Sequence, residues 1–132
     1  MSAKAAVSIL VADPDPFSVE LVRKALQPEY TLDVVRDGPT ALEKARNCSP
    51  ALVIAEILLP RLDGFQLCRC LKEDTATASI PILVLSFLRA EERARQAGAD
   101  AFLLKPLQPE LVRQTVAELI AAGEGNIRHE IC

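Results

Sequence analysis

Five polar side chains interrupt apolar stretches of this sequence at places where phosphate chemistry could be done. Asp13 and Asp15 follow the run at residues 7–12, and Glu56 lies within the run at 51–59. Ser86 and Lys105 close the runs at 80–85 and 101–104. Carboxylates are the hard oxygen ligands a divalent cation takes, while a hydroxyl and an ammonium can contact phosphoryl oxygens. Each residue alone also reads as a polar strand terminus facing water. Their recurrence at the ends of successive runs makes chance a poor account. Other chemistry has little to stand on. His129 is the single histidine and falls in a polar tail, which removes a Ser-His-Asp triad and a His-based metal site. Gly123-Glu-Gly125 has no strand before it and is no dinucleotide loop.

The elements that must position these residues follow from hydrophobic periodicity. Residues 7–12 form a short continuous apolar run, as in a strand buried on both faces. Phe17, Leu21, Val22, Ala25 and Leu26 then recur at helical spacing until Gln27-Pro28. Residues 30–35 read as a strand closed by Asp37-Gly38, and Ala41, Leu42 and Ala45 mark a second helix after Pro39-Thr40. After the run at 51–59, Phe65, Leu67, Cys68 and Leu71 mark a third helix opening at Asp63-Gly64. Residues 80–85 form a strand, 91–97 a short polar helix ended by Gly98, and 101–104 a last strand. The last helix is expected over 109–122, with Leu111, Val112, Val116, Leu119 and Ile120 inward. Five strands alternating with five helices predict an α/β, doubly wound, five-stranded parallel sheet with helices on both faces. In such a sheet, functional groups gather outside the carboxyl ends of the strands.

Composition bounds the rest. The 132 residues suit one domain, and about half of them are apolar, enough for a sizeable core. Fifteen basic against eighteen acidic residues give a net charge of −3, which lacks the basic footprint of a nucleic-acid binder. Aromatics are 4% with no Trp, too few for base-stacking platforms. No apolar run approaches the ~20 residues that span a bilayer, and residues 1–7 carry no signal-peptide core. Cys48, Cys68, Cys70 and Cys132 match no zinc or thioredoxin spacing, and reduced thiols in a cytoplasmic protein are expected. The domain is expected over residues 1–122, with 123–132 a polar tail or the start of a linker.

Over nearly its whole length the chain resembles the receiver domain of bacterial two-component response regulators, the chemotaxis-type family. The matching stretches are Ile9-Leu-Val-Ala-Asp-Pro-Asp-Pro16, Leu52-Val-Ile-Ala-Glu-Ile-Leu-Leu-Pro60, Leu62-Asp-Gly64, Ile80-Pro-Ile-Leu-Val-Leu-Ser86 and Ala97-Gly-Ala-Asp-Ala-Phe-Leu-Leu-Lys-Pro106. The resemblance implies a flavodoxin-like sheet in the strand order 2-1-3-4-5. It also implies an acidic pocket containing Asp13, a switch hydroxyl at Ser86, an aromatic switch residue at Phe102 and the invariant-type lysine at Lys105.

The departures from the family pattern carry as much information. The family's phospho-accepting Asp is matched by Glu56, and the second acid of its metal pair by Pro14, which has no side-chain oxygen. Asp15 is adjacent, but a shift of one residue turns its side chain away. The small residue usual after the switch hydroxyl is Phe87, expected to block access. The segment 86–98 is about three residues short, so a truncated or rotated fourth helix is expected. One extra methylene displaces the acceptor carboxylate by ~1.3 Å, enough to cost ~100-fold in transfer rate. Mg²⁺ usually takes more than one carboxylate, so its binding is expected to be weak or absent, with no other cofactor. Glu56 instead places a permanent charge that Lys105 can pair and that can reach Ser86. It is a partial copy of a phosphoryl group, with −1 rather than −1.5 to −2.

The leading expectation is an atypical or pseudo-receiver, not an enzyme, that signals through phosphorylation-independent protein–protein contacts. A receiver that still accepts phosphate is the alternative. A haloacid-dehalogenase-like phosphatase is the lesser one: Asp13-Pro14-Asp15 reads as Asp-x-Asp, but that reading leaves residues 56–64 unexplained. The expected partner is a protein, a histidine kinase or an output protein, with a homodimer as a further case and no nucleic acid or membrane. In the family the fourth helix, fifth strand and fifth helix form the partner face. There, Glu91, Glu92, Arg93, Asp100, Phe102 and Arg113 could contribute.

Overall fold

A computed structural model describes residues 7–123. Its elements alternate strictly: β1 (Val7–Ala12), α1 (Pro16–Leu26), β2 (Tyr30–Val35), α2 (Gly38–Cys48), β3 (Leu52–Glu56), α3 (Gly64–Glu73), β4 (Ile82–Ser86), α4 (Glu91–Ala97), β5 (Ala101–Leu104) and α5 (Pro109–Gly123). All neighbouring strands pair in parallel, in the order β2-β1-β3-β4-β5. The chain has the flavodoxin-like fold expected of it.

Period-two alternation divides the three central strands between two apolar layers. Ile9, Val11, Leu52, Ile54, Leu83 and Leu85 face α1 and α5, where they meet Val22, Leu26, Val112, Val116 and Ile120. Leu10, Ala12, Val53, Ala55, Ile82 and Val84 face the other way, toward Ala41, Ala45, Leu67, Leu71 and Ala94. Fully burying one such aliphatic side chain is worth roughly 1.5–3 kcal/mol, so the doubly covered strands dominate the stability. That rigid centre fixes the strand ends in space.

Aspartates start three of the helices. Asp15, Asp37 and Asp63 accept from amides of the first turns of α1, α2 and α3, and Asp63 with Gln66 completes a capping box. Helix α4 is shorter, at seven residues, and has no side-chain cap; Glu91 and Glu92 complement its dipole instead. It ends at Gly98, whose φ of +118° suits glycine, and where a Cβ would lie 2.7 Å from Lys72 Cγ. Arg93 stacks over the Phe65 ring at 4.1 Å and ties α4 to α3.

Several expectations change. Phe17 is 80% exposed and Leu111 is 44% exposed. Each precedes the first buried residue of its helix, Ser18 or Val112, by one position, a rotation of about 100° away from the sheet. Helix α2 starts at Gly38, ahead of the Pro39-Thr40 expected to precede it, because Asp37 rather than a later residue caps it. Cys48, half-buried at the end of α2, is disulfide-bonded, against the expectation of reduced thiols throughout. Cys68 and Cys70 are free, and burial pushes the Cys68 thiol up to about 12, which leaves it inert at neutral pH. The expectations for residues 1–6, for the tail from 124 with His129, and for Cys132 lie outside the described residues. Among the described residues no helix is long and apolar enough to cross a membrane.

Candidate functional site

The carboxyl ends of β1, β3, β4 and β5 bring together Asp13, Glu56, Ser86 and Lys105. They are 3%, 5%, 0% and 4% exposed, so this is a buried polar cluster rather than a row of solvated strand ends. Parallel pairing does the positioning: the strands finish side by side, and each polar residue is the last of its strand or the one just beyond it. Gly64 seats the β3–α3 loop beneath Glu56. Its amide donates to Ile57 O at 2.8 Å, and a Cβ there would meet Glu56 O at 2.7 Å.

Lys105 is the hub. Its Nζ donates to Glu56 Oε1 at 2.7 Å and to Asp13 Oδ2 at 2.9 Å. Ser86 Oγ donates to Glu56 Oε2 at 2.5 Å, and the Leu58 amide donates to the same oxygen at 3.0 Å. Asp13 Oδ1 accepts from the Asp15 amide at 2.9 Å, and Ser86 Oγ accepts from the Leu88 amide at 3.3 Å. Among the described residues no buried side-chain polar atom lacks a partner. The peptide bond between Lys105 and Pro106 is cis.

The electrostatics follow from burial set against these bonds. Burial pushes the Asp13 carboxyl above its ordinary value, and the Asp15 amide and Lys105 only partly pull it back. Burial pushes Glu56 the same way, but the bonds from Lys105, Ser86 and the Leu58 amide outweigh it and hold this carboxyl low. Burial pulls the Lys105 ammonium down, and Glu56 and Asp13 together more than compensate, so its pKa is raised. Two carboxylates thus share one ammonium, with Glu56 the better solvated by donors.

The other candidate residues sit apart from this network. Asp15 directs its oxygens to the Phe17 amide and Ser18 Oγ as the cap of α1. The Phe87 ring lies over Lys105, its centroid 5.6 Å from Nζ, and is 61% exposed. Phe102 is half-buried and pairs with Val84, while Leu104 is the residue opposite Ser86. Among the residues expected on the partner face, Asp100 is engaged by Lys72 and the Ile82 amide. Arg93 is taken by Phe65, Arg113 by Glu110 and Ala25 O, and Glu91 by Arg95. Sequence reasoning missed the amides of Asp15, Leu58 and Leu88, because a backbone donor has no residue type to announce it.

A metal ion does not fit the donor set. Pro14 offers no side-chain oxygen, and Asp15 is occupied as a cap. One oxygen each of Asp13 and Glu56 is taken by Lys105, and the others accept from the Asp15 amide, Ser86 and the Leu58 amide. Among the described residues no three acidic, histidine or cysteine side chains group as a metal site.

The family model of the response regulator receiver domain matches residues 9–117. The chain belongs to that family. It is a response regulator receiver domain, a module of two-component signal transduction. The match also accounts for residues 56–64, which the phosphatase alternative leaves unexplained. Response regulator PleD of Caulobacter vibrioides is 34% identical over 115 residues, covering 84% of this chain and 25% of that protein. Response regulator Rre1 of Synechocystis is 31% identical over 125 residues, 91% of this chain and 54% of that one. The chain therefore spans between a quarter and about half of these curated relatives. The receiver domain of a histidine kinase from Syntrophus aciditrophicus superposes with a TM-score of 0.84 at 28% identity, covering 96% of this chain and 99% of that one. A Pseudomonas aeruginosa kinase receiver, 24% identical with a TM-score of 0.81, covers 89% of this chain and 99% of its own and has magnesium coordinated in its cleft.

Proposed function

We propose that this receiver domain works without phosphorylation, as a cytoplasmic protein-interaction module with no enzymatic activity, in which Glu56 stands for the family's acceptor Asp. The observation that carries this reading is the engagement of both Glu56 oxygens, one by Lys105 and the other by Ser86 and the Leu58 amide. A nucleophilic carboxylate must present an oxygen in line with the incoming phosphorus, and here each is held by a charge-assisted or amide bond. The Phe87 ring, 5.6 Å from the Lys105 ammonium that Glu56 pairs with, is proposed to narrow the same approach.

The proposed partner surface is the α4–β5–α5 face. A groove of about 370 Å³ lies between α4 and β5, lined by Arg89, Glu91, Glu92, Phe102, Leu103 and Leu104. Its lining mixes three apolar with three charged side chains, a composition that suits a protein-binding surface. The exposed large apolar side chains Leu58, Phe87, Leu88 and Leu104 lie at the carboxyl ends of β3, β4 and β5, and Leu104 also lines the groove. A histidine kinase, an output protein or a second copy would meet this surface in one fixed state.

Incubation with acetyl phosphate and Mg²⁺, read by intact mass, tests the proposal. No phosphate uptake is expected in the wild type or in Glu56→Asp, because Pro14 and Phe87 remain. The triple variant Pro14→Asp, Glu56→Asp, Phe87→Ala is expected to gain uptake. Uptake by the wild type at an ordinary receiver rate would overturn the reading.

A further inference from the structure

We infer that Lys105 supplies from within the chain the positive charge that a divalent cation would bring to this pocket, and that the domain binds no Mg²⁺ at millimolar concentration. The inference deepens the phosphorylation-independent reading, yet stands on a separate count of oxygens and donors. Three carboxylates lie near the pocket, and each of their six oxygens already has a donor. Asp13 accepts from the Asp15 amide and Lys105, and Glu56 from Lys105, Ser86 and the Leu58 amide. Asp15 accepts from the Phe17 amide and Ser18.

Mg²⁺ requires near-octahedral oxygen ligation and gives up its waters reluctantly. To enter, it would have to displace the Lys105 ammonium from at least one carboxylate while remaining near that like charge. Lys105 is itself enclosed and doubly bonded. It is 4% exposed, both its acceptors are buried, and the Phe87 ring lies on its remaining side. Moving it would strand a buried charge, the costliest change such a cluster can suffer. Pro14 cannot compensate with a ligand of its own. Asp13 and Glu56 set against Lys105 leave the buried cluster a single residual negative charge before any ion arrives.

The test is an amide-shift titration of the wild-type protein with MgCl₂ to about 10 mM, against NaCl of equal ionic strength. No saturable shift is expected at Asp13, Glu56, Ser86 or Lys105. Saturable shifts that vanish in Asp13→Asn would overturn the inference, whether or not phosphate is taken up in the separate acetyl phosphate assay. The second arm is Lys105→Met, which leaves Asp13 and Glu56 facing one another without a cation. Its melting midpoint is expected to rise by roughly 3 °C or more in about 10 mM Mg²⁺ or Ca²⁺, a response the wild type lacks. If this variant is unfolded in NaCl, recovery of the folded spectrum in MgCl₂ counts equally in favour. A variant that neither gains stability nor recovers with divalent cations would overturn the role given to Lys105.

Discussion

The charged residues at the ends of β1, β3 and β5 and those along α4 are the same kinds of side chain held in opposite ways. Asp13, Glu56 and Lys105 are almost wholly buried and bonded to one another, with Ser86 and three backbone amides completing the set. Glu91, Glu92 and Arg95 stand in water, and the Glu91–Arg95 pair has both side chains 54% exposed. Exposed pairs of this kind are screened and contribute little, whereas a buried pair that loses one member leaves an uncompensated charge. One region is thus locked by its own chemistry. The other leaves its charges in solvent, as the proposed partner face requires.

The largest expected effect comes from removing the hub. Lys105→Met keeps the bulk of the side chain but leaves two buried carboxylates without their cation. Urea unfolding is expected to show a loss of roughly 3–5 kcal/mol. A loss under about 1 kcal/mol would mean that water already reaches the cluster, and the contrast with α4 would fail.

Glu56→Gln comes next, at roughly 1–3 kcal/mol, since the amide oxygen can still accept from Ser86 while Lys105 retains Asp13. Its pH dependence sharpens the comparison. Glu56 is held below its ordinary 4.5, so the wild type's advantage over Glu56→Gln is full above about pH 4.5. It is lost as pH falls through the lower folded value. Asp13 works in the other direction: its raised value favours the folded state below it and costs stability above it. Lys105 is raised above its ordinary 10.5, so its contribution is full below that pH and lost only as pH climbs through the folded value. A difference between wild type and Glu56→Gln that stays flat down to pH 2 would show that Glu56 is not held in this way.

Much of this molecule was legible from its sequence, for identifiable reasons. Strands buried on both faces leave continuous apolar runs, so β1, β3 and β4 stood out, and with them the residues at their ends. Asp13, Glu56, Ser86 and Lys105 can therefore be assembled from the sequence pattern, and Glu56 does meet Lys105. The hidden part was set by single-residue rotations and by backbone. Phe17 and Leu111 look like core residues by type, but each lies one position off its helix's buried stripe. Asp15 looks like a pocket acid, but its position before Pro16 and Phe17 makes it a helix cap. The amides of Leu58 and Leu88 complete the cluster through loop geometry that no side chain encodes. The disulfide at Cys48 was hidden too, because pairing depends on a partner's place in space rather than on spacing in sequence.

The smallest effect belongs to Arg93→Ala, and it asks whether the two regions are independent. Arg93 lies on α4, and its guanidinium covers the Phe65 ring of α3 at 4.1 Å, so it ties the proposed partner face to the body of the domain. An exposed cation–π contact of this kind is worth roughly 0.5–1 kcal/mol, and the loss on unfolding should stay within that range. None of the bonds in the strand-end cluster passes through Arg93 or Phe65. Amide shifts of Asp13, Glu56, Ser86 and Lys105 should therefore stay in place while those of residues 89–98 move. Glu56→Gln should do the reverse, moving the cluster and leaving α4 where it is, because α4 is fastened by Ala94 and Ala97 in the core and by Arg93 on Phe65 rather than through Glu56. Shifts that spread from Arg93→Ala into the cluster, or from Glu56→Gln into α4, would show that the two regions still communicate. The acceptor position would then still govern the partner face, even with Glu56 in the place of an aspartate.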